Sequence, residues 1–248
     1  MADLLRSDNP VLREKAFSGA IATGETMTVQ GTVNKTGLLL LFVVITAAWT
    51  WGLAHSESPD AAKGWMIGGA LGGLVVGMVT AFKTTWAPFT APVYALLEGL
   101  FLGGISAILE KSYPGIAMQA VSLTFAVMVV MLLAYKFRIV QATRGFKLGV
   151  IAATGGIFLV YMANLVATLV FHAPFGILYS SSPLGIGISL FITIIAALNL
   201  ILDFDMIETG VRMSAPKSME WYGAFGLMVT LVWLYIRMLR LLSQMRRR

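Results

Sequence analysis

The chain has 248 residues, of which 58% are hydrophobic and 12% are charged, and its mean hydropathy is +0.82. This composition excludes a soluble protein with an ordinary polar surface and is typical of a polytopic membrane protein. The net charge of +6 needs no nucleic-acid partner, because the headgroups of a lipid bilayer are a sufficient anionic partner. The absence of cysteine excludes disulfides and thiolate metal sites.

The first 35 residues are polar and mixed in charge. They contain no basic stretch that leads into a short apolar region and a cleavage site, so we do not expect a cleaved signal peptide. We predict a cytoplasmic N-terminal tail over residues 1–35 and a transmembrane domain over residues 36–248.

Seven apolar runs follow the tail. A hydrocarbon core about 30 Å thick needs about 20 apolar residues per helix. Runs of this length are too long for buried strands and lack the alternation of a transmembrane barrel, so we predict an all-α integral membrane protein with seven transmembrane helices. The predicted spans are residues 36–54, 64–82, 88–109, 115–135, 148–171, 184–202 and 221–242.

The lysines and arginines of the short loops favour a cytoplasmic N-terminus. In that orientation eleven basic residues lie on the cytoplasmic side and five on the other side. Three of those five are the terminal residues 246–248, which oppose the bias. The last run is nevertheless long enough to cross the membrane, so seven spans are predicted.

Small residues form ridges on two of the predicted helices. The second span carries Gly69, Gly73 and Gly77, and the third carries Gly99 and Gly103. Such ridges allow close helix crossings in lipid. We favour packing inside the chain, with an oligomer contact as the alternative.

Ionisable residues inside or at the edges of apolar runs are functional candidates in a membrane protein. Glu98 lies near the middle of the third span, where its carboxyl must be protonated or paired. The pore or gate candidates are Glu98, Asp203, Asp205, Glu208 and Arg237.

Arg237 lies in the last apolar run, where an arginine costs about 2.5–3.5 kcal/mol on insertion scales and needs a partner or a route to water. Gly223, Thr230, Arg237 and Gln244 recur every seven residues, which places them on one face that should turn toward the bundle. Depth counted along the helices favours an ion pair of Arg237 with Glu98. The alternative is an arginine that extends to the outer interface and meets no acid.

The acids of "LNLILDFDMIETG" end the sixth span. Asp203 shares a helix face with Asn199, and Asp205 shares another with Glu208. Asp203 and Asp205 are about 200° apart around the helix, so they cannot both face one pore. These carboxylates could attract calcium, with Asp205 as the candidate ligand, or share a proton. The alternative is that these acids are solvated at the end of the helix and have no functional role.

No enzyme site is expected. His55 and His172 lie near span ends without a neighbouring acid or second histidine, and neither a "GxSxG" nor an "HExxH" context is present. We therefore predict no catalytic activity and no cofactor, with calcium only as a permeant ion.

Several long strings resemble one family. "AALNLILDFDMIETG" and "APKSMEWYGAFGLMVTLVWLYIRMLRLLS" are similar to the closing half of the Bax inhibitor family, also called transmembrane Bax inhibitor motif proteins, in its bacterial branch. "NPVL", "MTVQGTVNKTG" and "PVYALLEGLFLGGIS" extend the likeness over nearly the whole chain.

The resemblance implies a seven-helix bundle in which the last helix is central, in a bacterial plasma membrane. It also implies a pH-sensitive calcium leak, gated by an acid on the sixth helix and an acid on the seventh that share a proton. Some bacterial members are instead associated with restraining a membrane-bound AAA protease. The alternative function is thus a non-conducting regulator that binds another membrane protein through residues 1–35.

This chain departs from the family pattern at the gate. The sixth-helix acid matches Asp205 in "FDMI", but the seventh-helix acid matches Arg237 in "LYIRML". Arginine keeps its proton, so a shared-proton latch cannot form, and a positive charge in a pore repels calcium. We expect a weaker leak or an altered pH dependence, with a salt bridge between the two residues as one means of closure. Counted depth separates them by roughly 20 Å, so that pairing requires a shifted or tilted helix.

Overall fold

A computed structural model describes residues 25–56, 59–173 and 175–247, and these residues form seven α-helices and two short 3-10 turns. All seven helices are long and apolar enough to cross a membrane, which confirms the all-α transmembrane architecture. The helices are α1 (Val29–His55), α2 (Pro59–Phe82), α3 (Ala87–Ser112), α4 (Ile116–Lys136), α5 (Arg144–Phe171), α6 (Pro183–Arg212) and α7 (Met219–Arg246).

The helices extend beyond the predicted spans. α1 begins at Val29 because the Thr28 side chain caps it, accepting a hydrogen bond from the Gly31 amide at 2.9 Å. α6 continues to Arg212, ten residues past the predicted end of the sixth span. The acids of α6 therefore lie within the helix rather than after it. Of the predicted tail, residues 1–24 lie outside the described residues.

The chain divides into two compact units. Unit 1 consists of Met1–Ile108 and Asp203–Val229, and unit 2 consists of Leu109–Leu202 and Thr230–Arg248. Since these boundaries fall inside α3, α6 and α7, each of those helices contributes residues to both units.

Close helix crossings build unit 1. A methyl group at Gly103 would lie 2.7 Å from Cα of Ala47 on α1, and one at Gly69 would lie 2.5 Å from the carbonyl oxygen of Leu97 on α3. Only glycine lets the backbones approach this closely. Internal packing is thus confirmed for the predicted ridges, which are formed by Gly69, Gly73, Gly77, Gly99 and Gly103.

α7 is the most buried of the seven helices in the described part of the chain. In α7, 61% of the apolar stretch is buried inside the protein, compared with 11% in α5. The burial of α7 agrees with the predicted central position of the last helix, whereas most apolar side chains of α5 are not buried by protein.

Candidate functional site

The first candidate group is the carboxyl of Glu98, eleven residues after the first residue of α3 and 9% exposed. The hydroxyl of Tyr94, one turn earlier, is hydrogen-bonded to it. On α2, a methyl group at Gly73 would lie 3.0 Å from Oε1 of Glu98. Gly73 therefore leaves room for the carboxyl, which is buried against protein inside unit 1.

Tyr94 also connects α3 to α7 within unit 1. Its ring packs edge to face against Phe225, with the centroids 5.0 Å apart. The next residue, Gly226, faces α6, and a methyl group there would lie 3.8 Å from Oδ1 of Asp203. Tyr94, the partner of Glu98, and Asp203 thus lie next to adjacent residues of α7, Phe225 and Gly226.

Asp203 and Asp205 are half-buried, whereas Glu208 is exposed. The face of α6 that packs against α7 in unit 1 includes Ile207, whose Cγ1 would lie 3.1 Å from a methyl group at Gly223. Asp203 is one turn before Ile207 on the same face, and Asp205 is about 200° away from Asp203. In unit 1, Asp203 rather than Asp205 therefore faces α7.

No three His, Cys, Asp or Glu side chains come close enough to hold a metal ion in residues 25–56, 59–173 and 175–247. Calcium prefers six to eight oxygen ligands, so a resident calcium site at Asp205 has no support from this geometry. His55 and His172 are exposed at the ends of α1 and α5, and Nδ1 of His55 lies 2.9 Å from the carbonyl oxygen of Trp51.

The second candidate group is Arg237 of α7, in unit 2, which is 3% exposed. Its Nη1 donates to the hydroxyl oxygen of Tyr161 on α5 at 2.5 Å, and Nη1 of Arg240 donates to the same oxygen at 3.0 Å. Nε and Nη2 of Arg237 are buried without a hydrogen-bond partner in the described residues. This burial argues against an arginine that extends to the interface.

The two ion pairs predicted for Arg237 stay predictions. Glu98 and Asp205 belong to unit 1, and Arg237 belongs to unit 2. Within its own unit, Arg237 donates a hydrogen bond to the Tyr161 hydroxyl, a partner that was not predicted from the sequence.

The segment after α5 is fixed beside these arginines in unit 2. The side-chain amide of Asn164 donates to the hydroxyl of Tyr179 at 3.0 Å and accepts from the amide of Phe175 at 2.8 Å. The guanidinium of Arg240 lies 4.4 Å from the Tyr179 ring centroid, within the range of a cation–π contact. Gln244 donates to two carbonyl oxygens of the segment at 3.1 and 3.3 Å.

A further buried acid, Glu220, was not predicted from the sequence. Its carboxylate forms an ion pair with Lys35 of α1 and accepts hydrogen bonds from the amide and hydroxyl of Thr28 at 2.9 and 3.0 Å. Glu220 is in the first turn of α7, where a negative charge also interacts favourably with the helix dipole. Two features of the sequence could have indicated this ion pair, namely an acid at the start of the last span and a lysine at the start of the first.

The N-terminal segment before α1 lies alongside the loop that precedes α7. Met27 is buried, and its amide donates to the carbonyl oxygen of Ala215 at 2.8 Å. The amide of Lys217 donates to the carbonyl oxygen of Glu25 at 3.0 Å, and the two side chains form an exposed ion pair that raises the pKa of Lys217. Residues 25–28 are thus attached to the start of the last helix.

Seven apolar helices, of which α3 and α7 carry ionisable side chains buried against protein, define a polytopic membrane protein with buried ionisable groups. The spanning helices place the chain in contact with a lipid bilayer. A family model described as Bax inhibitor 1 like matches residues 9–247. The chain therefore belongs to the Bax inhibitor 1 like family, which confirms the resemblance seen in the sequence. No curated protein and no solved structure matches the chain.

Proposed function

We propose that this protein is a calcium-permeable leak channel of the Bax inhibitor type, with Glu98, Asp203 and Asp205 along the cation pathway and a gate altered by Arg237. The observation that carries the proposal is the burial of Glu98 inside α3 beside a neutral phenol. A carboxyl in an apolar span is costly, which makes it a functional candidate. The proposal needs neither a catalytic step nor a bound cofactor.

The depth of the acids supports a common pathway. With alternating helix directions, the start of α3 and the end of α6 lie at the same membrane face. Glu98 is eleven residues from that start and Asp203 is nine residues from that end, which at 1.5 Å per residue gives depths of about 17 and 14 Å. Two carboxyl groups at nearly one depth suit a site that a cation visits during passage.

Arg237 is the residue by which the proposed gate differs from that of the family. It occupies the position at which the family resemblance implies an acid, and its guanidinium keeps its positive charge across the accessible pH range. We therefore propose that closure in this protein does not use a proton shared with the seventh helix, and that its calcium leak is weaker than that of relatives with two acids.

Calcium flux into phosphatidylcholine liposomes that contain the purified protein and a trapped indicator dye would test the proposal between pH 5 and 8. The variants are Glu98→Gln, Asp205→Asn and Arg237→Glu. Glu208 was a candidate from the sequence, but it is exposed and is not part of the proposed pathway. Glu208→Gln is therefore the matched control on the same helix as Asp205.

We expect a slow native leak that Glu98→Gln and Asp205→Asn reduce and Glu208→Gln leaves unchanged. Arg237→Glu should increase the leak and make it depend on pH. If neither the native protein nor Arg237→Glu passes calcium, the channel proposal is wrong.

A second candidate function is a non-conducting regulator that binds another membrane protein, such as a membrane-bound AAA protease, through residues 1–35. The attachment of residues 25–28 to the start of α7 favours it, because a partner that pulls on the tail would act directly on the last helix. Deletion of residues 1–24 keeps this attachment. It should abolish regulation of the partner protein without changing any calcium flux.

We further propose a bacterial plasma membrane with a cytoplasmic N-terminus. The excess of lysine and arginine in the predicted cytoplasmic loops supports the orientation, and the family resemblance supports the membrane.

A further inference from the structure

We propose that unit 2 contains a binding site for an oxyanion of the phosphate class, held by the unpartnered edge of the Arg237 guanidinium. We call it the oxyanion site and define it by Arg237, Arg240, Tyr161 and Tyr179. It adds a ligand to the protein and does not depend on calcium conduction.

The geometry of the unpartnered nitrogens favours an oxyanion as the ligand. Nη1 of Arg237 is occupied by Tyr161, while Nε and Nη2 are buried and have no partner in the described residues. Nε and Nη2 form one edge of the planar guanidinium, with two N–H bonds that point the same way. Two oxygens of one phosphate match this edge with a pair of parallel hydrogen bonds, whereas a halide cannot.

The charge of the site also calls for an anion. Arg237 and Arg240 donate to the same neutral phenol, and Arg240 is a like charge that acts on Arg237 across one helical turn. Like charges at this spacing repel each other. A bound anion would relieve the repulsion and satisfy the buried N–H groups together.

The composition of unit 2 supports the same conclusion. Its sequence contains ten basic residues and one acidic residue, Glu110. The carboxylate of Glu110 accepts hydrogen bonds from the backbone amides of Gly115 and Ala117 at 2.5 and 3.1 Å. The single acid of the unit is thus engaged at the start of α4.

The surrounding residues hold the site in shape. Tyr161 and Asn164 are three residues apart and share a face of α5. Tyr161 orients both arginines, while Asn164 positions Tyr179, whose ring covers Arg240. The arginine side chains are therefore ordered before a ligand arrives, which lowers the entropic cost of binding.

The outer side of the site is formed by Arg240 and Tyr179. Arg240 is half-buried, Tyr179 is exposed, and Arg240 is six residues before the last residue of α7, about 9 Å along the helix. This depth is close to the headgroup layer of the membrane. The phosphate could therefore belong to a free anion from the aqueous phase or to an anionic lipid.

The test measures binding to the full-length protein in two arms. In the first, protein in phosphatidylcholine nanodiscs is dialysed against radiolabelled inorganic phosphate. In the second, protein from detergent micelles that contain phosphatidylcholine and phosphatidylglycerol is examined by native mass spectrometry for retained phosphatidylglycerol, without inorganic phosphate. Arg237→Lys keeps the positive charge but removes the two parallel N–H donors of the guanidinium edge. Arg246→Lys is the control, because Arg246 is an exposed arginine of the same helix.

We expect saturable binding in at least one arm, a loss of about tenfold or more in affinity with Arg237→Lys, and no change with Arg246→Lys. Binding of inorganic phosphate identifies a free anion, and retention of phosphatidylglycerol alone identifies a lipid headgroup. Tyr161→Phe provides a second variant if Arg237→Lys does not fold, and it should also weaken binding because Nη1 loses its anchor. No saturable binding in either arm, or equal binding by native protein and whichever variant folds, would overturn the proposal.

Discussion

Lys35 and Glu220 form a buried ion pair that joins α1 to α7 across 185 positions of sequence. The carboxylate side chain is 1% exposed and the lysine side chain is 18% exposed. Two further hydrogen bonds from Thr28 complete the carboxylate's surroundings. Loss of the lysine would leave a buried negative charge without its counter-ion.

Lys35→Met should therefore lower the free energy of unfolding by about 3 kcal/mol, since removing one partner strands a buried charge. Titration with sodium dodecyl sulfate in mixed micelles would measure it. The matched control is Lys217→Met, whose partner Glu25 is 75% exposed, and its expected cost is much smaller because water screens an exposed pair. Equal costs for the two variants would contradict a structural role for the buried pair.

Gly31→Ala should destabilise the protein, because the added methyl group would collide with the carboxylate of Glu220. We expect a loss of about 1–3 kcal/mol from overpacking. Gly37→Ala is the control on the same helix, because in the described part of the chain no atom outside the adjacent helical backbone lies within 4 Å of a methyl group there. Replacement of this second glycine should be neutral or stabilising by up to about 1 kcal/mol.

Glu98→Gln should separate function from stability. The amide keeps the size of the side chain and can still accept from Tyr94, so the free energy of unfolding should stay within about 0.5 kcal/mol of native or rise. Calcium flux should nevertheless fall. A large loss of stability in the same titration would instead identify Glu98 as a structural residue.

Asn164→Ala should loosen the segment after α5, because the amide of Phe175 and the hydroxyl of Tyr179 lose their partner. Leaving such groups unsatisfied costs about 1–3 kcal/mol. The thermal unfolding midpoint in detergent would report the loss. Asn34→Ala, on the exposed face of α1, should change that midpoint little, so similar shifts would argue against the anchoring role of Asn164.

Single cysteines can test the membrane orientation, since the chain has none of its own. Ser112 at the end of α3 and Ser218 just before α7 are both exposed. With a cytoplasmic N-terminus, an impermeant maleimide should label Ser112→Cys in intact cells and Ser218→Cys only after the membrane is permeabilised. The reverse pattern would invert the proposed orientation.

The helices could be predicted from sequence because a membrane requires about 20 apolar residues for each crossing. Their ends could not, because backbone hydrogen bonds continue through charged residues as readily as through apolar ones. α6 passes three acids before it ends at Arg212, whereas the hydropathy pattern stops at the first. The start of α1 depends on the cap supplied by Thr28, which lies outside the apolar run.

Some residues of the candidate groups could be predicted from the sequence and others could not. Glu98 and Arg237 stand out as charges in apolar surroundings. Tyr161 does not, because a phenol is common in membrane helices and only its position between two arginines makes it notable. Glu220 was not predicted, because its burial depends on contacts with Thr28 and Lys35, far away in the sequence, that no local pattern records.

The attachment of α7 to α1 also has a consequence for biosynthesis. Unit 1 combines Met1–Ile108 with Asp203–Val229, so its first helices are inserted into the membrane before the start of α7, which completes the unit, has been made. During that interval Lys35 lacks the acid that it pairs with in the finished protein. A chain that stops before Met219 would keep six of the seven helices described here and still leave unit 1 without its closing element, a defect that membrane quality-control proteases are suited to detect.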